Sequence, residues 1–211
     1  MNEPQSLKIA VFASGKVSNL AAILREIECG HIHHAEIVLV ISNNSTAGAL
    51  ELARDHGIPA VHISRRHCTS DEEFTKKLKS LLEEHHVTFI VLAGYMKKVD
   101  SSIIDEYKNK IINIHPALLP LFGGTGMYGM HVHEAVIAGK SAVSGATVHL
   151  VDNEYDHGSI IIQRSIAVAP DETPESLAAK VLQIEHELYP EAVKLFAEGR
   201  VHINGKQVFI Q

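Results

Sequence analysis

At 211 residues, 45% of them apolar and 21% charged, the chain can bury a substantial core and has the make-up of an ordinary globular protein. A net charge of −6 excludes a broad electrostatic footprint for nucleic acid or an anionic membrane, though not a small anion held by a local nest of backbone N–H groups. Cys29 and Cys68 lack metal-ligand spacing, residues 1–8 have no apolar signal core, and no apolar run nears the roughly 18 residues of a membrane span, so a reducing, cytoplasmic setting is expected.

Residues 7–13 are a compact apolar run, predicting a strand that feeds Ser14-Gly15-Lys16-Val17-Ser18-Asn19. A helix follows over 20–29 with Leu20, Ile23, Leu24 and Ile27 on one face. Strand, tight loop with a glycine and hydroxyls, then helix is the geometry in which loop amides and a helix N-terminus hold a phosphate. With a single glycine the loop is neither a Walker loop nor G-x-G-x-x-G, and an ordinary first turn of an α/β sheet reads the same way. Residues 35–42 form a second strand, apolar enough to be buried on both faces. Asn43 to Thr46 offer caps for a helix over 47–56, which Gly57 and Pro59 punctuate before a short strand over 60–63. Ser70 with Glu73 is a capping-box pair for a helix to about residue 85, with Phe74, Leu78, Leu81 and Leu82 inward. A fourth strand over 88–92 leads into Ala93-Gly94-Tyr95-Met96, Asp100 caps a short helix through Tyr107, and 111–115 is the fifth strand.

This alternation predicts an α/β fold: a doubly wound, mostly parallel, Rossmann-like sheet with helices on both faces. The second half differs. A loop over 121–129 carries Gly123, Gly124, Gly126 and Gly129, and a short helix over 131–139 follows. Strands over 144–151 and 160–167 flank a polar turn, 152–158. Thr173 and Pro174 open the longest helix, to about residue 198, with Pro190 expected to kink it. Asn204-Gly205, between alternating residues over 201–210, signals a two-residue hairpin. Without repeats, linkers or low-complexity tracts, residues 1–211 read as a single domain with a C-terminal long helix and hairpin.

Chemistry concentrates at Ile111-Ile112-Asn113-Ile114-His115-Pro116. Residues two apart on a strand share a face, so Asn113 and His115 lie side by side, and Pro116 ends the strand there. An amide donor and an imidazole at a strand's C-terminal end sit where open α/β sheets bind ligands. A buried Asn and His can equally serve neighbouring backbone groups. In the acidic turn Asp152-Asn153-Glu154-Tyr155-Asp156-His157-Gly158, Asp156 is either solvated or directed at His115. In the second case it favours the imidazolium and raises its pKa, giving an acid near neutral pH beside an amide donor. Of the 15 histidines, His31, His33, His34, His85 and His86 read as solvated. His115, His131, His133, His149 and His157 could in principle ligate a metal, but no H-E-x-x-H or paired-cysteine spacing supports one, and no metal is assigned.

Three stretches strongly resemble the folate-dependent formyltransferases: Asn113-Ile114-His115-Pro116-Ala117-Leu118-Leu119-Pro120, Gly145-Ala146-Thr147-Val148-His149, and Asp156-His157-Gly158-Ser159-Ile160-Ile161-Ile162-Gln163. Ala13-Ser14-Gly15, Ser18-Asn19-Leu20, Leu92-Ala93-Gly94-Tyr95-Met96 and Glu185-His186-Glu187-Leu188-Tyr189-Pro190 support the likeness, in order along essentially the whole chain. The resemblance implies transfer of a formyl group from 10-formyltetrahydrofolate, as cosubstrate, to the amine of glycinamide ribonucleotide in purine biosynthesis, by a monomer or homodimer. It implies that Asn113 and protonated His115 are donors to an oxyanion, while Asp156 holds His115 charged and moves the amine proton through water. It further implies a ribonucleotide site at Ser14, Gly15, Val17, Ser18 and Asn19, with Glu185 on the ribose. The implied folate cleft comprises Leu92, Met96, Lys97, Lys98, Val99, Asn113, Val151 and Asp152. Val17 departs from the family, whose members commonly carry a second glycine there; because Val resists positive φ, a different loop path or weaker phosphate binding is expected. The loop 122–130 looks longer than the commonest family version, and its glycines suit a mobile flap.

Other functions fit parts of this pattern. A formyltetrahydrofolate hydrolase shares the Asn, His and Asp set, but such enzymes resemble this domain with an added N-terminal regulatory domain, for which a first strand at residue 7 leaves no room. A non-catalytic nucleotide-binding module accounts for Val17 but not for the intact Asn113, His115 and Asp156. Transfer to methionyl-tRNA would call for a basic surface and a further C-terminal domain.

Overall fold

The computed structural model describes residues 6–15 and 17–211; residues 1–5 and Lys16 of the first loop, both part of the reading above, lie outside the described residues. The strands are β1 (Leu7–Ala13), β2 (Ala35–Ser42), β3 (Ala60–His62), β4 (Phe89–Leu92), β5 (Ile111–His115), β6 (Val143–Leu150) and β7 (Ile160–Ala167). They form one seven-stranded sheet in the order β3-β2-β1-β4-β5-β6-β7. Pairing is parallel from β3 through β5 and antiparallel from β5 to β7, so the mostly parallel, doubly wound expectation holds. The helices are α1 (Ser18–Glu28), α2 (Gly48–Asp55), α3 (Asp71–Glu84), α4 (Ser101–Glu106), α5 (Met130–Ala138) and α6 (Pro174–Ala197). A separate hairpin, β8 (Val201–Asn204) with β9 (Gln207–Ile210), follows α6.

The side-chain alternation of β1 divides the interior. Ile9, Val11 and Ala13 join α1, α2, α5 and α6 in one core, while Ala10 and Phe12 join α3 and α4 in the other. A strand that serves two cores must be apolar wherever it is buried, which is why β1 from Ile9 onward and all of β4 show no polar face. Tyr189 of α6 is fully buried, and its hydroxyl lies 2.9 Å from the Leu92 carbonyl and 3.1 Å from that of Ile112, pinning the helix over β4 and β5.

Local signals deviate in instructive ways. The cap of α2 is Ala47, with no side-chain cap bond; the Asn44 side chain instead accepts from the Thr46 N–H. Ser70 Oγ accepts from the Glu73 N–H, but the Glu73 carboxylate turns to the backbone and hydroxyl of Thr69, so the capping box is half formed. Pairing of Asn204 with Gln207 makes Gly205-Lys206 the hairpin loop, one residue beyond the expected position, and Gly205 supplies the positive φ of +61°. Helix α6 runs through a buried Pro190 to Ala197 without interruption. Among the described residues, no helix is long and apolar enough to cross a membrane.

Candidate active site

Chain order reverses between β1 and β4: β1 leads outward to β2 and β3, whereas β4 leads to β5 on the other side. Such a switch point leaves a crevice at the carboxyl ends of the strands. A cavity of about 460 Å³ lies there, lined by Ser18 and Asn19 after β1, Gly94 to Met96 after β4, and Asn113 and His115 of β5. Ser14 lashes the rim together: its hydroxyl donates to Asn43 Oδ1 at 2.6 Å and accepts the Met96 N–H at 2.7 Å.

Antiparallel pairing of β5 with β6 sets Asn113 opposite His149 and His115 opposite Thr147. Asn113 Nδ2 lies 3.1 Å from His149 Nε2, and His149 Nδ1 lies 2.8 Å from the Leu150 carbonyl. His115 is 3% exposed; its Nε2 faces the Phe122 carbonyl at 2.7 Å and its Nδ1 faces Asp156 Oδ2 at 3.5 Å. Asp156 also accepts the Gly124 N–H at 3.0 Å and lies 3.6 Å from His149 Nε2. Backbone conformation delivers two of these groups from the left-handed region: Asp156 at φ +55°, which Asp tolerates, and Phe122 at φ +54°, where a bulky side chain is strained. Gly158 closes the Asp156 turn so tightly that a Cβ there would lie 1.8 Å from the Leu150 carbonyl oxygen.

Burial is the largest single influence on both His115 and Asp156, but it decides the sign only at His115. It pushes the His115 pKa down; Asp156 and the Phe122 carbonyl pull it back only in part, leaving it below its ordinary value. The expectation that Asp156 raises it is therefore corrected: the carboxylate acts in that direction, but desolvation of a nearly inaccessible ring is larger. Burial alone would raise the Asp156 carboxyl, but the His149 contact, the His115 charge and the Gly124 N–H together hold it below the ordinary range. Both groups are therefore displaced toward lower pKa, His115 by burial and Asp156 by contacts that outweigh its burial.

The remaining candidate residues divide among the cavity, its neighbour and the wall behind. Asn19 Nδ2 donates to Glu185 Oε2 at 2.8 Å, so this pair from α1 and α6 adds a bonded amide and carboxylate to the lining of the main cavity. Met96 also lines it, 51% exposed. Leu92, Lys97, Lys98, Val99, Val151 and Asp152 instead line an adjoining recess of about 70 Å³, which Asn113 and Asp156 share. Ser14, Gly15 and Val17 line neither space. Val17 has φ −103°, so the loop asks for no positive φ there, and a Cβ on Gly48 would meet the Val17 side chain at 3.0 Å. His131 and His157 are exposed beside Glu134 and Asp152 respectively, and among the described residues no group of three metal-binding side chains is assembled.

Comparison with known proteins shows the family to which this fold belongs. The model of the formyl transferase family matches residues 7–193. The chain belongs to the formyl transferase family. It is 39% identical over 201 residues to the chloroplastic phosphoribosylglycinamide formyltransferase of Arabidopsis thaliana, covering 95% of this chain and 68% of that protein. Glycinamide ribonucleotide transformylase 1 from Symbiobacterium toebii superposes with a TM-score of 0.91 at 36% identity, covering 99% of this chain and 95% of that one. A formyltetrahydrofolate deformylase from Pseudomonas syringae pv. tomato superposes with a TM-score of 0.86 at 25% identity, covering 98% of this chain and 66% of that one.

Several groups in this cluster were given no place beside Asn113, His115 and Asp156 by the sequence. His149 stands within reach of both Asn113 and Asp156, the Phe122 carbonyl occupies His115, and the Gly124 N–H holds Asp156. Backbone groups leave no trace in a sequence. His149 left one: Thr147-x-His149 repeats the two-residue polar spacing of Asn113-x-His115.

Proposed function

We propose that the protein transfers the formyl group of 10-formyltetrahydrofolate to the amine of glycinamide ribonucleotide; its relatives are named for formylation of that ribonucleotide. The observation that carries this reading is the convergence of Asn113, His115 and Asp156 on a cavity that the Asn19–Glu185 pair also lines. In this reading the ribonucleotide lies between that pair and β5, its phosphate toward the loop of Ser14, Gly15, Val17, Ser18 and Asn19. The folate enters along Leu92, Met96, Lys97, Lys98 and Val99 to Val151 and Asp152. Residues 1–211 act as one domain, as a monomer or homodimer. Free Cys29 and Cys68 suit a reducing compartment such as the cytoplasm.

The amine nitrogen attacks the formyl carbon, and the carbonyl electrons move onto oxygen. Asn113 and His115 donate hydrogen bonds to that oxyanion, His115 once its Nε2–H leaves the Phe122 carbonyl. The ammonium proton passes through water toward Asp156, whose carboxylate is held ionised. Collapse of the intermediate re-forms the carbonyl, breaks the bond from carbon to the folate nitrogen, and returns a proton to that nitrogen. No step calls for a metal.

Hydrolysis of the same donor uses the same three side chains, so the acceptor decides. Absorbance change on folate product formation, followed with and without glycinamide ribonucleotide, separates the readings. Product only with the nucleotide is expected; product without it identifies a hydrolase, and no product identifies a binding module.

A further inference from the structure

We infer that His149 is a positioning residue for Asn113, setting which end of the amide faces the reacting oxygen. This rests on the proposed formyl transfer. The Leu150 carbonyl can only accept, so His149 Nδ1, 2.8 Å away, carries a proton. With that as the ring's one proton, Nε2 is a bare lone pair, and the neighbour at 3.1 Å donates to it. That fixes Asn113 with its nitrogen toward His149 and leaves its second N–H for the cavity that Asn113 lines. An asparagine amide has no intrinsic preference between its two flips, so without an acceptor at this point the oxygen can face the cavity, where it would repel a developing oxyanion.

The rest of the surroundings supports the assignment. His149 is 2% exposed and held between β5 and the Asp156 turn, so water does not substitute for its Nε2. Asp156 Oδ1 stands 3.6 Å from the same nitrogen. It would draw a proton there, reverse the bond to Asn113 and flip the amide. Asn113 and Asp156 thus compete for one nitrogen of His149, and the distances, 3.1 Å against 3.6 Å, assign it to Asn113.

The test uses His149→Gln, His149→Asn and His149→Ala in the full chain. Gln carries an acceptor oxygen as far out as Nε2, whereas Asn reaches only as far as Nδ1. We expect His149→Gln to keep kcat within about threefold, and the Asn and Ala variants to lose roughly 10- to 100-fold in kcat with KM for both substrates within about threefold. A role confined to packing would lower thermal stability alike in Gln and Asn and leave kcat of the folded protein unchanged; that result overturns the inference. Nitrogen-15 NMR of histidine-labelled wild type gives a readout independent of turnover. A protonated Nδ1 and bare Nε2 on His149 at neutral pH are expected, and a proton on Nε2 overturns the assignment. A wild type that turns over without the nucleotide, or not at all, defeats the proposed reaction, while the NMR result still decides His149.

Discussion

His115 sits between two acceptors, the Phe122 carbonyl and the Asp156 carboxylate, yet burial keeps its pKa below the ordinary 6.5. Between that lowered value and 6.5 the unfolded chain binds a proton that the folded protein refuses. Stability is therefore complete above 6.5 and falls as the pH drops through this window. His115→Gln should flatten that part of a thermal-midpoint profile; His186, lowered for the same reason, contributes with the same sign and remains in the variant. A steeper acid loss in His115→Gln than in wild type would contradict the account. For turnover, Asn113→Ala should cost about 100- to 1,000-fold as one oxyanion donor is lost, and Asp156→Asn a comparable amount, both in folded protein. Near-normal steady-state rates in either variant would remove the role assigned to it.

At the scale of elements, the turn that ends β5 is held by a neighbouring strand rather than by its own sequence. Thr147, fully buried on β6, donates to the Ala117 carbonyl at 2.6 Å and accepts the Leu119 N–H at 3.1 Å and Gln163 Nε2 at 2.7 Å. Thr147→Val keeps the shape and strands these partners, at a cost of roughly 1–3 kcal/mol and about 2–4 °C of Tm per kcal/mol. Calorimetry that finds an unchanged Tm would show that the turn is held some other way. The α2 cap and the hairpin loop belong to this scale too. Polar residues before a helix advertise caps, but Asn44 spent its side chain on Thr46, and cross-strand pairing moved the hairpin turn to Gly205-Lys206.

For the whole molecule, the site exists because elements from across the chain meet at one sheet edge. Asn19 of α1 and Glu185 of α6 touch across 166 residues of sequence, and the lashing of Ser14 to Met96 spans 82. Glycinamide ribonucleotide bound only by the folded protein should stabilise it by about 2.7 kcal/mol at a hundred times its Kd. Differential scanning fluorimetry with the ribonucleotide alone reads this directly. An unshifted midpoint at saturating concentration would count against the cavity as its site.

The sequence by itself determined the strand and helix pattern, the parallel first half, and the Asn113-x-His115 pair. These depend on local periodicity, on proline and glycine conformations, and on side chains that share a strand face. Only the tertiary structure decided the sign of the His115 shift, because desolvation depends on what covers the ring. It also decided the register that sets His149 against Asn113, since pairing between strands is a property of two segments rather than one. The backbone groups at Phe122 and Gly124 that hold the cluster came from the path of a loop, and every residue type brings the same carbonyl and, proline aside, the same N–H.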